Sequence, residues 1–166
     1  MPMALPVPIE FRLPEGWLPA APPEGVDVPG VAFAAVRPDP DGGFTANITI
    51  AGEVPKDSVT LAELADASAQ RLRESVDPVV VAGRREVGNA QAPALTQRLI
   101  FSAVVGNVRH DLVQSQVFLT FADVHDPRRR AVIRLALTAT AAQHDEVLGD
   151  FQEFVRTVRP DTVTGA

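Results

Sequence analysis

The chain has 166 residues, a length that one domain accommodates comfortably. Hydrophobic residues make up 46% and charged residues 22% of the sequence, which excludes a chain that is disordered throughout. The chain contains no cysteine, which excludes disulfides and thiolate chemistry. Its formal net charge of −6 argues against a broad nucleic-acid-binding surface.

The first part of the chain is rich in proline and predicts short extended elements. Residues 1–40 hold ten of the fifteen prolines, and the alternation over residues 9–13 predicts a strand that ends at Pro14. Two more strands are predicted over residues 31–37 and 44–50, joined by a turn at Asp39 to Gly43.

The rest of the sequence predicts a helix, four strands and a final helix. Thr60, with Glu63 three residues later, predicts the capped start of a helix that runs to about residue 76. Four strands are expected over residues 79–87, 94–105, 111–122 and 131–140, and a final helix over residues 142–158.

This order predicts an α+β fold. Short links imply antiparallel pairing, so we expect a central antiparallel sheet of about six or seven strands packed by two amphipathic helices, an α/β/α sandwich. Residues 1–166 form one domain in this interpretation, with loose termini at residues 1–8 and 160–166.

Motifs for catalysis and cofactor binding are missing from the sequence. It has no nucleophile elbow, phosphate loop or dinucleotide-binding glycine pattern, so no catalytic residue, cofactor or metal site is predicted. The three histidines, His110, His125 and His144, each adjoin a turn or a helix start, which favours solvated positions. An alternative hypothesis is a small enzyme or ligand sensor that uses loop residues near His110 or His125.

The strongest functional clue is a polar set of side chains on the long strands. In each strand one alternate set is apolar and predicts the core, while the other set carries amides, hydroxyls and arginines. The candidate binding residues on this second face are Asn47, Arg98, Gln114, Gln116, Phe118 and Arg134. The alternative is that this face is simply wet, or half covered by a helix.

These observations favour a non-catalytic binding or adaptor protein with a protein or peptide partner. A chaperone that holds a peptide, helix or protein partner on the polar face is one form of this hypothesis. Separately, a homodimer is a candidate oligomeric state. No nucleic-acid partner and no membrane span is expected. The N-terminal residues lack the pattern of a secretory signal, so we expect a cytoplasmic location.

The sequence resembles a known family at its start and in its element order. The segment Phe11-Arg12-Leu13-Pro14-Glu15-Gly16-Trp17 is similar to the F-x-x-P-x-G-W opening of the PsbP-like superfamily. That superfamily includes a Ran-binding nuclear-import factor and the bacterial DcrB-like proteins, and the resemblance is greatest to its actinobacterial LpqN-type branch. The helix after Val59 and the terminal helix around Phe151 occupy similar places.

The resemblance implies a sheet between helices and a binding, adaptor or chaperone function without catalysis. LpqN-type proteins are typically lipoproteins, whereas this sequence contains no cysteine to carry a lipid. The family supplies no catalytic residue to assign here.

Overall fold

A computed structural model describes residues 9–20, 31–40, 42–56, 58–76, 78–90, 92–122 and 130–160. These residues form two helices, α1 (Leu61–Ser75) and α2 (Ala141–Thr157). They also form nine strands, which are β1 (Ile9–Glu10), β2 (Leu18–Ala20), β3 (Val31–Val36), β4 (Asn47–Glu53), β5 (Val79–Gly88), β6 (Pro93–Val105), β7 (Val108–Ala122), β8 (Arg130–Thr140) and β9 (Arg159–Pro160).

Seven of these strands form one antiparallel sheet, in the order β2-β3-β4-β8-β7-β6-β5. The long strands β8, β7 and β6 are consecutive neighbours from the centre of the sheet towards the β5 edge. The predicted α+β class, the predicted number of strands in the central sheet and the two packed helices are confirmed.

Local sequence signals account for the helix starts and the central hairpin. Thr60 and Thr140 cap α1 and α2, and each hydroxyl accepts a hydrogen bond from the backbone N–H three residues later at 3.1 Å. Gly106 and Asn107 have φ of 59° and 66° and join β6 to β7 in a two-residue turn. That geometry matches the right-handed twist of the strands, and these two residue types adopt it at low cost.

The two helices pack on opposite faces of the sheet. On the α2 face, Val147, Phe151 and Phe154 pack against a buried apolar set from β4 and β8 that comprises Ile48, Ile50, Ile133, Leu135 and Leu137. On the α1 face, Leu64, Ala65 and Ala69 pack against a set from β5 to β8 that comprises Val79, Leu95, Leu99, Phe101, Leu112, Phe118 and Val132. Each helix therefore covers a different half of the sheet, one on each side.

Several element boundaries differ from the sequence predictions. Residues 44–46 precede β4 instead of belonging to it, and β2 lies in a stretch that the sequence predicts as loop. The sequence also predicts a loose terminus from residue 160, whereas Pro160 pairs with Ile9 in the β1–β9 ribbon. Residues 1–8 and 161–166 lie outside the described residues, and the extent of the domain stays a prediction.

Within the described part of the chain, neither helix is long and apolar enough to cross a membrane.

Candidate functional site

The register of β6 and β7 separates the residues that the sequence places on one polar face. Arg98 lies opposite Ser115, whereas Leu95 lies opposite Phe118. Cross-strand partners share a face, so Arg98 projects from the α2 face. Gln114, Gln116, Phe118, Arg134 and Asn47 lie on the α1 face. The prediction that all six share one face is therefore wrong for Arg98.

Most of the remaining predicted residues are buried. Gln116, Phe118 and Arg134 are 3%, 1% and 8% exposed, because α1 lies over this part of the sheet. The expected open polar surface is therefore not present at these three positions. Asn47 and Gln114 are half-buried, beyond the border of α1.

A chain of hydrogen bonds explains why so many amides lie under α1. Arg84 donates to Gln97 Oε1, Gln97 Nε2 donates to Gln116 Oε1, and Gln116 Nε2 donates to Gln114 Oε1. Gln114 Nε2 then donates to Thr138 Oγ1 at 2.9 Å. The bonds lead from β5 through β6 and along β7 to β8, so the amides satisfy one another.

The same network holds α1 on the sheet. Gln97 Nε2 donates to the carbonyl of Ala65 at 3.1 Å, and Gln116 Nε2 donates to Ser68 Oγ at 2.9 Å. Arg84 also forms an ion pair with Asp66 at 2.7 Å. These amides therefore have a structural role in docking the helix.

The two histidines in the described residues are buried, so the prediction that they are solvated is wrong for both. His110 is 7% exposed in β7, with its ring 5.6 Å from that of Phe44. His144 is 2% exposed in the first turn of α2. His125 lies outside the described residues.

His144 forms a pair with a serine that the sequence did not single out. Its Nε2 lies 2.8 Å from Ser115 Oγ, and its Nδ1 lies 3.7 Å from a carboxylate oxygen of Asp145. Burial and the positive charge of Arg98 lower the pKa of His144 below its usual value, although the carboxylate of Asp145 acts in the opposite direction. The two residues are 29 positions apart in the sequence. Predicting the pair would require both the register of β7 and the exact start of α2, neither of which the sequence indicates.

The Ser115–His144–Asp145 group resembles a hydrolytic triad in composition alone. Ser115 is 8% exposed and lies in β7, which pairs with β6 on one side and β8 on the other. Those ladders occupy the backbone N–H groups that an oxyanion hole would use. The group is better suited to fixing the start of α2 on the sheet than to attacking a substrate.

The uncovered half of the α2 face carries a different kind of surface, which we call the β5–β6 surface. Val80 and Ile100 are cross-strand neighbours there and are 53% and 43% exposed, and Val104 is 69% exposed further along β6. Val87, near the other end of β5, is also exposed on this face. Val80, Ile100 and Val104 thus form an apolar stripe that the chain's own helices leave open in the described residues.

Basic side chains flank this stripe. Arg85, Arg98 and Arg109 lie opposite Thr96, Ser115 and Val104, which places all three on the α2 face, and all are exposed. Asp111 also lies there and accepts a hydrogen bond from Ser102 at 2.8 Å. The β5–β6 surface therefore has an apolar stripe at one end, with Arg98 and Arg109 beside it, while Arg85 lies between the stripe and Val87.

A metal site is not apparent in the described ranges, where no group of three or more acidic or histidine residues could hold an ion.

No protein-family model matches this chain, and no curated protein matches it either. Solved structures do match, at low sequence identity and over most of both chains.

Three of these structures show what the fold is similar to. LpqN of Mycobacterium tuberculosis, a protein involved in cell envelope biogenesis, is 12% identical with a TM-score of 0.61, and the match covers 92% of this chain and 83% of LpqN. Cyanobacterial PsbP of Synechocystis is 15% identical with a TM-score of 0.60, covering 92% and 86%. The Ran-binding protein Mog1p of Saccharomyces cerevisiae is 16% identical with a TM-score of 0.58, covering 92% and 89%.

These likenesses concern the fold. The helix and strand order of the PsbP-like superfamily expected from the sequence is confirmed, while LpqN is a distant match by sequence. The chain has the PsbP/Mog1-like fold.

Proposed function

We propose that this chain is a non-catalytic protein-binding module that holds an acidic amphipathic helix of a partner on the β5–β6 surface. The observation that carries the proposal is the open apolar stripe of Val80, Ile100 and Val104 on a half-face that neither helix covers. Exposed apolar stripes with a polar rim are typical of protein-binding sites.

The dimensions of the surface favour a helix as the occupant. A helix with its side chains is about 10 Å wide, which is close to two strand spacings of about 4.8 Å. The same strands already carry a helix on their other side, where α1 packs on β5 and β6. A partner helix on the α2 face would sandwich β5 and β6 in the same way that α2 and α1 together sandwich β7.

Charge complementarity favours an acidic polar face on that helix. The β5–β6 surface carries three arginines, Arg85, Arg98 and Arg109, against one acid, Asp111, although the whole chain has a net charge of −6. Glutamates flanking the apolar stripe of a partner helix would lie close to these guanidinium groups. Arg98 thus remains a candidate binding residue, on a different face from the one first predicted.

The fold comparisons support a binding role at a coarse level. Mog1p is a Ran-binding protein by its description, and a protein partner is consistent with the surface on this chain. A chaperone function is the finer form of the proposal, because holding an apolar helix stripe away from water is what such a surface would do. The cytoplasmic location and a homodimer stay predictions.

The test compares the proteins that three forms of the chain capture from native cells. Wild type and Leu18→Lys should retain the same partner, whereas Ile100→Lys should lose it, because a buried ammonium cannot be accommodated at an apolar interface. Leu18 is a matched control, since it is 54% exposed on the edge strand β2 at the far side of the sheet.

A second step identifies the partner segment. Its isolated peptide should bind wild type as a helix, and replacing its glutamates by lysine should weaken binding by about ten-fold or more. Equal capture by Ile100→Lys and Leu18→Lys would contradict the proposal.

A further inference from the structure

Arg134 is a buried arginine that has no ion-pair or hydrogen-bond partner among the described residues. It lies in the central strand β8 on the α1 face, between Phe118 of β7 and Ala51 of β4. Its side chain is 8% exposed. A buried guanidinium presents five donors that protein groups, water or a ligand must satisfy.

The Arg134 nitrogens are not sealed from solvent. The buried side-chain atoms without a partner in the described residues are Thr120 Oγ1 and Gln143 Oε1, and the nitrogens of Arg134 are not among them. The stem of Arg134 is therefore buried while its charged end is not fully enclosed.

A second arginine lies near the charged end of Arg134. Arg71 follows Ser68 by one helical turn of α1, and Ser68 faces the sheet because its hydroxyl binds Gln116. Burial, together with the positive charge of Arg71, lowers the pKa of Arg134 to about 10, against an opposing effect of Glu53. Glu53 forms no salt bridge with either arginine in the described residues, which leaves a local surplus of positive charge.

The neighbours of Arg134 on this face are small. Ala51 and Ala136 lie next to it on β4 and β8, and each presents only a methyl group to this face. Thr120, one rung further along β7, has a buried hydroxyl without a partner in the described residues. Within the described part of the chain, a guanidinium without a protein partner and a hydroxyl without a partner thus lie on adjacent rungs of one face, near a half-buried arginine.

We propose that Arg134, assisted by Arg71, binds the oxyanion group of a small molecule, a carboxylate or a phosphate, at the border between α1 and β8. The planar fork of Arg134 suits two oxygen atoms of either group. Arg71 supplies a second positive charge from the helix side. This site lies on the opposite face from the β5–β6 surface and does not depend on the protein-binding proposal.

The experiment titrates inorganic phosphate and succinate separately into the full chain at constant ionic strength, with the Nε–Hε signal of Arg134 followed by NMR. A saturable shift with phosphate alone would indicate a phosphate ligand, and with succinate alone a carboxylate ligand. Arg134→Met lacks that signal, so its affinity is measured by isothermal titration calorimetry alongside wild type; it should bind about ten-fold or more weakly and should still fold, because methionine fills similar apolar space.

Two further variants keep the proposal falsifiable whatever the stability of Arg134→Met. Arg71→Gln should weaken binding, whereas Glu53→Gln should strengthen it, because it removes a competing negative charge from an exposed position. Arg98→Gln, on the other face, should leave the affinity unchanged. The absence of a saturable shift with both anions, or equal binding by wild type and Arg71→Gln, would overturn the proposal.

Discussion

His144 is a buried titratable residue in the first turn of α2. His144 hydrogen-bonds to Ser115 in the interior, and Arg98 on β6 adds a positive charge beside it. Both burial and Arg98 favour the neutral imidazole, so the pKa of His144 in the folded state lies below the value of about 6.5 that it has in an unfolded chain. The carboxylate of Asp145 opposes this shift without overcoming it.

The shift of His144 predicts a loss of stability in acid. Since the folded-state pKa is the lower one, the unfolded chain binds more protons below about pH 6.5 and stability falls as the pH falls. The contribution of neutral His144 is fully present above that pH. Urea unfolding between pH 5 and pH 8 should therefore show a midpoint that decreases below about pH 6.5.

Two variants separate this effect from the other titrating groups. His144→Gln stays neutral and should remove this part of the pH dependence. Arg98→Gln should reduce it, because the folded-state pKa then rises towards the unfolded value. A pH profile that is the same in wild type and His144→Gln would show that His144 does not carry the effect.

The two helices dock by different physical means. The sheet-facing side of α2 places Val147, Phe151 and Phe154 in a continuous apolar core. By contrast, the fully buried positions of α1 are Leu64 and three small residues, Ala65, Ser68 and Ala69. Polar contacts from β6 and β7 to the carbonyl of Ala65 and the hydroxyl of Ser68 compensate for this small apolar area.

The polar docking of α1 predicts a cost for an apolar substitution at Gln116. Gln116→Leu would keep the volume but would leave Gln114 Oε1 and Ser68 Oγ without their buried donor. We expect the free energy of unfolding to fall by about 1–3 kcal/mol, as is typical for unsatisfied buried groups. Urea unfolding gives the change, and hydrogen exchange should show faster opening in α1 than in α2. A neutral or stabilising effect would mean that apolar packing alone holds α1.

The element types could be predicted from the sequence, but the shared faces could not. The capping pattern of Thr60 with Glu63 and the apolar periodicity of the helices are local signals, and both helices appear where expected. Which alternate set of a strand faces which helix depends on the pairing register, and one residue of shift inverts it. Most apolar side chains of β6 face α1, whereas most of those of β7 face α2. Alternation within each strand alone therefore places Arg98 on the same face as Gln114 and Gln116, which is wrong.

At the scale of the whole molecule, the sheet is covered by one helix on each side and at different halves. The strands in the middle, β7 and β8, contribute side chains to both cores, such as Phe118 to the α1 face and Leu135 to the α2 face. The outer strands β5 and β6 are covered on the α1 face only, which leaves the β5–β6 surface open in the described residues. Because β7 and β8 contribute side chains to both cores, we expect the two cores to unfold together.

That coupling predicts a single cooperative unfolding transition. Trp17 reports on the α2 side, since it lies in that core and its indole N–H donates to Asp150 at 3.0 Å. Leu64→Ala removes apolar volume from the α1 side and should cost about 2–5 kcal/mol. If β7 and β8 transmit the loss, the urea transition of Trp17 fluorescence should shift as far as the transition of the far-ultraviolet circular dichroism.

Phe151→Ala is the matched variant on the α2 side and should lower the same two transitions together, by about 3–5 kcal/mol. The two substitutions lie on opposite faces without shared partners, so their costs in the double variant should add to within about 0.5 kcal/mol. A Trp17 transition that stays in place in Leu64→Ala, while circular dichroism shows an earlier loss of structure, would contradict the prediction. The α1 half would then unfold independently, and the central strands would not join the two cores into one unit.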